Sequence, residues 1–102
     1  MKEYDKLVRD KIPGIIEQDG KQCDIITAEE SELKTYLENK LHEEVAEYVE
    51  ARNLEELADI MEVLYGLAHN LGYSEQYLND CRKKKYDERG GFKNGIILKK
   101  VW

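Results

Sequence analysis

The chain has 102 residues, a formal net charge of −6 at pH 7, 37% charged residues and 41% hydrophobic ones. That length fits one domain spanning 1–102 with so thin a core that burial against a second copy would add stability. The acidic balance opposes bulk attraction to DNA or RNA phosphates, and no apolar run approaches the ~20 residues needed to span a bilayer.

The N-terminal MKEYDKLVRDK lacks the apolar core of a signal peptide, so a cytoplasmic location is expected. In RDKIPGIIEQDG, Asp10 is placed to cap a short helix around Pro13, and Gly20 to end it. QCDIIT (22–27) is short and β-branched and reads as a strand. Thr27 and Glu30 then form the pattern of a capping box, opening a long helix to about Ala51. Asn53, with Glu56 three residues on, opens the next helix, which runs to about Leu71. Ser74 caps a third long helix that ends before the RGG at 89–91. GIILKKV (95–101) reads as a second strand, to pair with 22–27 or with a neighbouring chain. Cys23 and Cys81 match no zinc or redox spacing and are expected as two reduced thiols. The expected fold is all-α: an antiparallel helical bundle with a minor two-strand β element near the termini.

One residue of the first long helix is out of place. At about 100° per residue, Leu33, Leu37, Leu41, Val45 and Tyr48 form an apolar arc, with Ala51 beside them. Glu44 falls inside that arc, and Glu47 sits at its edge next to Lys40. Glu38, His42, Ala46 and Glu50 project from the opposite side. Burying a lone ionised carboxylate costs several kcal/mol or forces it to take up a proton, so Glu44 needs a partner.

The next helix is greasy over about half its circumference, through Leu57, Ile60, Met61, Leu64, Leu67, Ala68 and Leu71. Its polar stripe is Glu56, Asp59, Glu62, Gly66 and His69. Taken alone it is an ordinary amphipathic helix with its acids in water, and Glu56 has a bland role in the Asn53 cap. The spacing of the acids argues otherwise. Glu44 and Glu47 are spaced i, i+3, as are Glu56 and Asp59, so each pair shares a helix face. Both pairs are also equidistant from the junction between Ala51 and Arg52. A tight αα-hairpin at Arg52 would set Glu47 level with Glu56, and Glu44 level with Asp59. Four converging carboxylates repel one another unless a cation fills the space. An all-oxygen anionic set without thiolate or imidazole points to Mg²⁺, or Mn²⁺ as a substitute.

These residues resemble a known pattern. KLHEEVAE…EELADIMEV is similar to the ExxE…ExxD signature of the all-α NTP pyrophosphatase superfamily, which includes MazG-like enzymes, dimeric dUTPases and phosphoribosyl-ATP pyrophosphohydrolases. YDKLVRDKIPGIIE and KYDERGGFKNGIILKKV resemble a small branch labelled phosphoribosyl-ATP pyrophosphohydrolase-like. The resemblance implies Mg²⁺-dependent hydrolysis of a nucleoside triphosphate, or a similar nucleotide, to a monophosphate and pyrophosphate. Glu44 and Glu47 match the first acidic pair, and Glu56 and Asp59 the second. Residues 48 to 55 alone separate the pairs, fewer than is usual in the family. Glu55 and Glu62 are neighbours able to substitute or to hold a second ion.

In such a reaction metal ions neutralise the phosphate oxygens and help ionise the attacking water. Glu44 and Glu47 are the catalytic candidates, with the base open among Glu43, Glu44 and Glu47. Lys40, Lys85 and Arg89 are the candidates for binding the substrate phosphates, whereas Lys83 and Lys84 read as a solvated basic face. Arg9 and Lys11, beside Asp10, are candidate salt-bridge partners. The family commonly works as dimers or higher assemblies, and a homodimer or larger homo-oligomer is expected. Three readings follow: a house-cleaning pyrophosphohydrolase of ordinary or modified (d)NTPs, a phosphoribosyl-ATP pyrophosphohydrolase of histidine synthesis, and a non-catalytic acidic helical dimer that binds a partner protein.

Overall fold

A computed structural model describes residues 5–102; Tyr4 and the residues before it in the MKEYDKLVRDK stretch lie outside the described residues. The described chain is all-helical, in the order α1 (Ile12–Gln18), α2 (Glu30–Ala51), α3 (Leu54–Asn70) and α4 (Glu75–Arg89).

Local chemistry explains most of the boundaries. Pro13 lies in the first turn of α1, where its missing N–H removes no helical bond. Lys11, not Asp10, is the cap residue there, and no side chain caps α1. The capping box lies two residues beyond Thr27–Glu30: α2 is capped by Glu29, whose N–H donates to Glu32 Oε1 at 3.3 Å. The chain leaves α2 through Arg52 in the left-handed region (φ 55°) and enters α3 through Asn53, whose Oδ1 accepts the Glu56 N–H at 3.0 Å. Two residues therefore make the whole turn. Ser74 Oγ accepts the Tyr77 N–H at 3.0 Å and starts α4 as expected.

Neither expected strand forms. Segments 22–27 and 95–101 have no regular structure, and no strand occurs among the described residues. A β-branched run becomes a strand only when another edge takes up its backbone groups, and within one chain neither run has such an edge. Ile25, Ile26, Ile96, Ile97 and Leu98 are left exposed.

The orientation of α3 decides the rest. Sequence periodicity alone turns its greasy arc inward, yet Leu57, Met61, Leu64 and Leu71 are exposed. The stripe Glu56, Asp59, Val63, Gly66 and Asn70 is the less exposed one. Gly66 permits the approach of α2, because a Cβ there would lie 2.9 Å from Leu37 Cδ2. At the far end, Asn70 Nδ2 donates to the Glu30 carbonyl at 3.1 Å. Leu37–Gly66 and Glu44–Asp59 both keep the register that the turn imposes. α4 meets α3 through Tyr65, whose hydroxyl donates to Asn79 Oδ1 at 3.2 Å. Between α3 and α4 lies an apolar groove of about 470 Å³ lined by Leu64, Leu67, Ala68, Leu71, Tyr73, Tyr77, Leu78 and Cys81.

The resulting core is small. Among the described residues, Leu37, Val63 and Ala68 are the buried apolar ones, and Glu44 is the buried charged one. The accessible surface is 9773 Å², against about 6,000 Å² for a compact monomer of this mass. The radius of gyration is 17.8 Å, against about 13 Å for a compact domain of this length. No helix among the described residues is long and apolar enough to cross a membrane.

Candidate metal centre between the two long helices

Glu44 reaches the α2–α3 seam because Leu33, Leu37 and Leu41 point the same side of α2 inward. It is only 7% exposed, the expected anomaly. From α3, the first turn after Asn53 delivers Glu56, and the next delivers Asp59. One carboxylate oxygen from each of Glu44, Glu56 and Asp59 lies within 4.8 Å of the others. Glu44 Oε2 and Glu56 Oε2 are buried without a hydrogen-bond partner. Only the Glu56 N–H serves the Asn53 cap, which leaves its carboxylate free to face the cluster.

Glu47 is not within that trio, but it stands beside Glu44 and acts on it. Burial, first, pushes the Glu44 carboxyl above the ordinary carboxylate range; the neighbouring Glu47 and, more weakly, Asp59 push the same way, and Lys40 opposes them. Lys40 Nζ lies 3.5 Å from Glu44 Oε1 and 3.5 Å from Glu43 Oε1. It is therefore a counter-ion inside the seam.

Residues 5–9, in which the sequence marked Arg9 for a salt bridge, lie across this seam. Asp5 Oδ1 accepts from the Tyr36 hydroxyl at 3.1 Å. Lys6 Nζ pairs with Glu43 Oε1 at 3.2 Å, and Arg9 Nη2 pairs with Asp59 Oδ1 at 2.7 Å. Burial pushes the Glu43 carboxyl up, but Lys6 and Lys40 outweigh it and hold it below its usual value. The same contact with Glu43 raises the Lys6 ammonium. Together these elements enclose an open cleft of about 210 Å³ lined by Leu7, Val8, Arg9, Asp10, Leu33, Leu37, Lys40, Glu44, Asp59, Glu62 and Val63.

Of the residues singled out from sequence, Glu44, Glu56 and Asp59 converge, Glu47 and Lys40 adjoin them, and Glu62 lines the cleft. Lys85 and Arg89 do not line it; both are exposed on α4. Cys23 and Cys81 are both free. The sequence marked Arg9 for a salt bridge without naming Asp59 as its partner, and did not single out Lys6, Val63 or the packing role of Gly66. Gly66 did carry a signal, a small residue in line with the acids. The partner of Arg9 carried none, being 50 positions away.

A divalent cation suits this donor set. Octahedral Mg²⁺ at about 2.1 Å from each oxygen sets neighbouring ligands roughly 3 to 4 Å apart, so small rotations close the trio. Two buried oxygens without partners are what such an ion would satisfy. Comparison of the chain with protein-family models, curated proteins and solved structures finds no match.

Proposed function

We propose that this chain is a Mg²⁺-dependent nucleotide pyrophosphohydrolase. It would cleave the bond between the α and β phosphates of ordinary or modified nucleoside triphosphates, releasing a monophosphate and pyrophosphate. The observation that carries this reading is Glu44, buried with Oε2 unpartnered and set against Glu56 and Asp59. A scaffold that only bound a partner protein would have no use for a charge at that position. The resemblance of the acidic pairs and both flanking segments to the all-α NTP pyrophosphatases supplies the reaction class.

On this reading Glu44, Glu56 and Asp59 hold the ion. Mg²⁺ would neutralise phosphate oxygens and lower the pKa of an attacking water. Glu47, exposed at the open edge beside Glu44, is the carboxylate left to accept that water's proton. Glu43 is a poorer base, because Lys6 and Lys40 both hold it ionised. Lys40 limits the negative charge of the seam. Lys85 and Arg89 would touch phosphate only across a subunit boundary.

Such a boundary belongs to the same proposal. A second copy covering the outward arc Leu57, Met61, Leu64 and Leu71 would complete an antiparallel bundle. The surplus surface is more than half the area of a compact monomer, beyond the roughly 800 Å² per partner that a stable interface takes. Nucleotide substrates agree with a cytoplasmic location.

The test is pyrophosphate release from a panel of NTPs, modified dNTPs and phosphoribosyl-ATP with Mg²⁺ present. Glu44→Gln and Asp59→Asn should each lower kcat/KM by roughly 100-fold or more, as about 3 kcal/mol of transition-state stabilisation is lost. No release from any substrate, or release unchanged in both variants, would sink the enzymatic reading. Activity confined to phosphoribosyl-ATP would move the chain to histidine synthesis.

A further inference from the structure

The Arg9–Asp59 contact serves no fold-level purpose that its exposure would reward. The two side chains are 56% and 40% exposed, and exposed ion pairs contribute little to stability. Yet the contact sets a guanidinium at the mouth of the carboxylate cleft, on one of the three acids that converge there. A guanidinium has five N–H donors in a planar fork, and a single Nη2–Oδ1 contact with Asp59 is present.

Charge placement gives the contact a direction. Arg9 and Lys40 are the cations against Asp10, Glu44, Asp59 and Glu62 in the cleft, while Lys6 is occupied by Glu43. Once an ion engages Asp59, the Arg9 guanidinium loses its carboxylate partner at the rim. A polyphosphate chain carries more negative charge than one divalent ion offsets, and its tetrahedral oxygens match the arginine fork. Among the described residues, Arg9 is the arginine that lines the cleft; Arg82 and Arg89 are exposed on α4.

Resting on the metal-dependent reading above, we infer that Arg9 is the phosphate-gripping residue of this site. It pairs with Asp59 in this structure and would pass to the outer phosphates of the nucleotide when a divalent cation engages Asp59. The 5–9 segment, tied to α2 through Asp5–Tyr36 and Lys6–Glu43, holds it in reach throughout. Lys6 and Asp5 are positioning residues for it.

The test compares wild type, Arg9→Ala and Arg9→Lys in two titrations. One measures Mn²⁺ alone by calorimetry; the other measures inorganic pyrophosphate in saturating Mg²⁺, alongside kcat and KM. Arg9→Ala should bind Mn²⁺ at least as tightly as wild type, since a competitor for Asp59 is gone. It should bind pyrophosphate about 10-fold or more weakly, with KM rising by a similar factor. Arg9→Lys should recover part of the loss, because a point charge lacks the fork. Unchanged pyrophosphate affinity in Arg9→Ala overturns the inference while leaving the metal site standing. So does a parallel loss of Mn²⁺ binding, pyrophosphate binding and melting temperature, which marks a merely structural strap. A wild type that binds no Mn²⁺ overturns the metal reading and this inference with it.

Discussion

Glu44 is caught between a helix face that buries it and a proton that would neutralise it. Its surroundings are Lys40 and Glu47 on α2, Glu56 and Asp59 on α3, and Arg9 and Lys6 from the N-terminal segment. A carboxyl whose pKa is raised on folding takes up its proton in the folded chain first. Its contribution to stability is complete below its ordinary value of 4.5 and is lost as pH rises through the raised folded value. Glu43, shifted downward, contributes above that ordinary value and loses its contribution only as pH falls through its lowered folded one. The two windows lie on opposite sides of 4.5. Metal-stripped wild type should therefore melt higher as pH is lowered through the raised Glu44 value toward 4.5, and Glu44→Gln should flatten that slope. At neutral pH the same variant should gain about 1 kcal/mol without metal, roughly 4–8 °C in Tm. Mg²⁺ should raise the Tm of wild type by binding linkage but not that of Glu44→Gln or Asp59→Asn. A wild-type Tm indifferent to both pH and Mg²⁺ would remove the case for a strained carboxylate.

The α2–α3 pair works as one element, fixed by a two-residue turn and a glycine. Arg52 sits in the left-handed region, where a side chain costs about 1 kcal/mol. Gly66 lets the helices close on each other at Leu37. Gly66→Ala gains about 1 kcal/mol of helix propensity, but its Cβ would push against a buried Leu37, at about 1–3 kcal/mol. We expect net destabilisation in thermal melts, with weaker Mn²⁺ binding because the acids move apart. Equal Mn²⁺ affinity would mean that the seam is not set by this contact. What could be read from sequence follows from range. Asn53 and Ser74 announce their helices because a cap is satisfied three residues away. Glu44 and its symmetry partners were legible because helical geometry and a short turn fix their heights. The strands were not, since the runs at 22–27 and 95–101 need an edge that their own chain does not offer. The side on which α3 faces α2 was ambiguous for a related reason: two stripes competed, and much of the apolar one is left exposed. Arg9 depends on a contact between distant segments, which no local pattern encodes.

At the scale of the molecule the dominant fact is surplus surface. Three buried apolar residues among those described are too little core to supply the several kcal/mol that folded domains retain. Sedimentation should find wild type as a dimer or larger at micromolar concentration. Met61→Glu, which puts a charge on the outward arc, should shift it toward monomer and lower Tm. A wild type that sediments as a stable monomer would remove the proposed second copy. The three converging carboxylates all come from one chain, and that origin has a consequence for mixed assemblies. When wild-type and Glu44→Gln chains are co-refolded, Mn²⁺ bound per chain should fall in simple proportion to the wild-type fraction. If Lys85 and Arg89 serve a neighbour's cleft, Glu44→Gln mixed with a chain lacking both cations should regain activity that neither possesses alone. Complementation between two dead subunits would then show a centre that each chain builds for itself and fills with help from its neighbour.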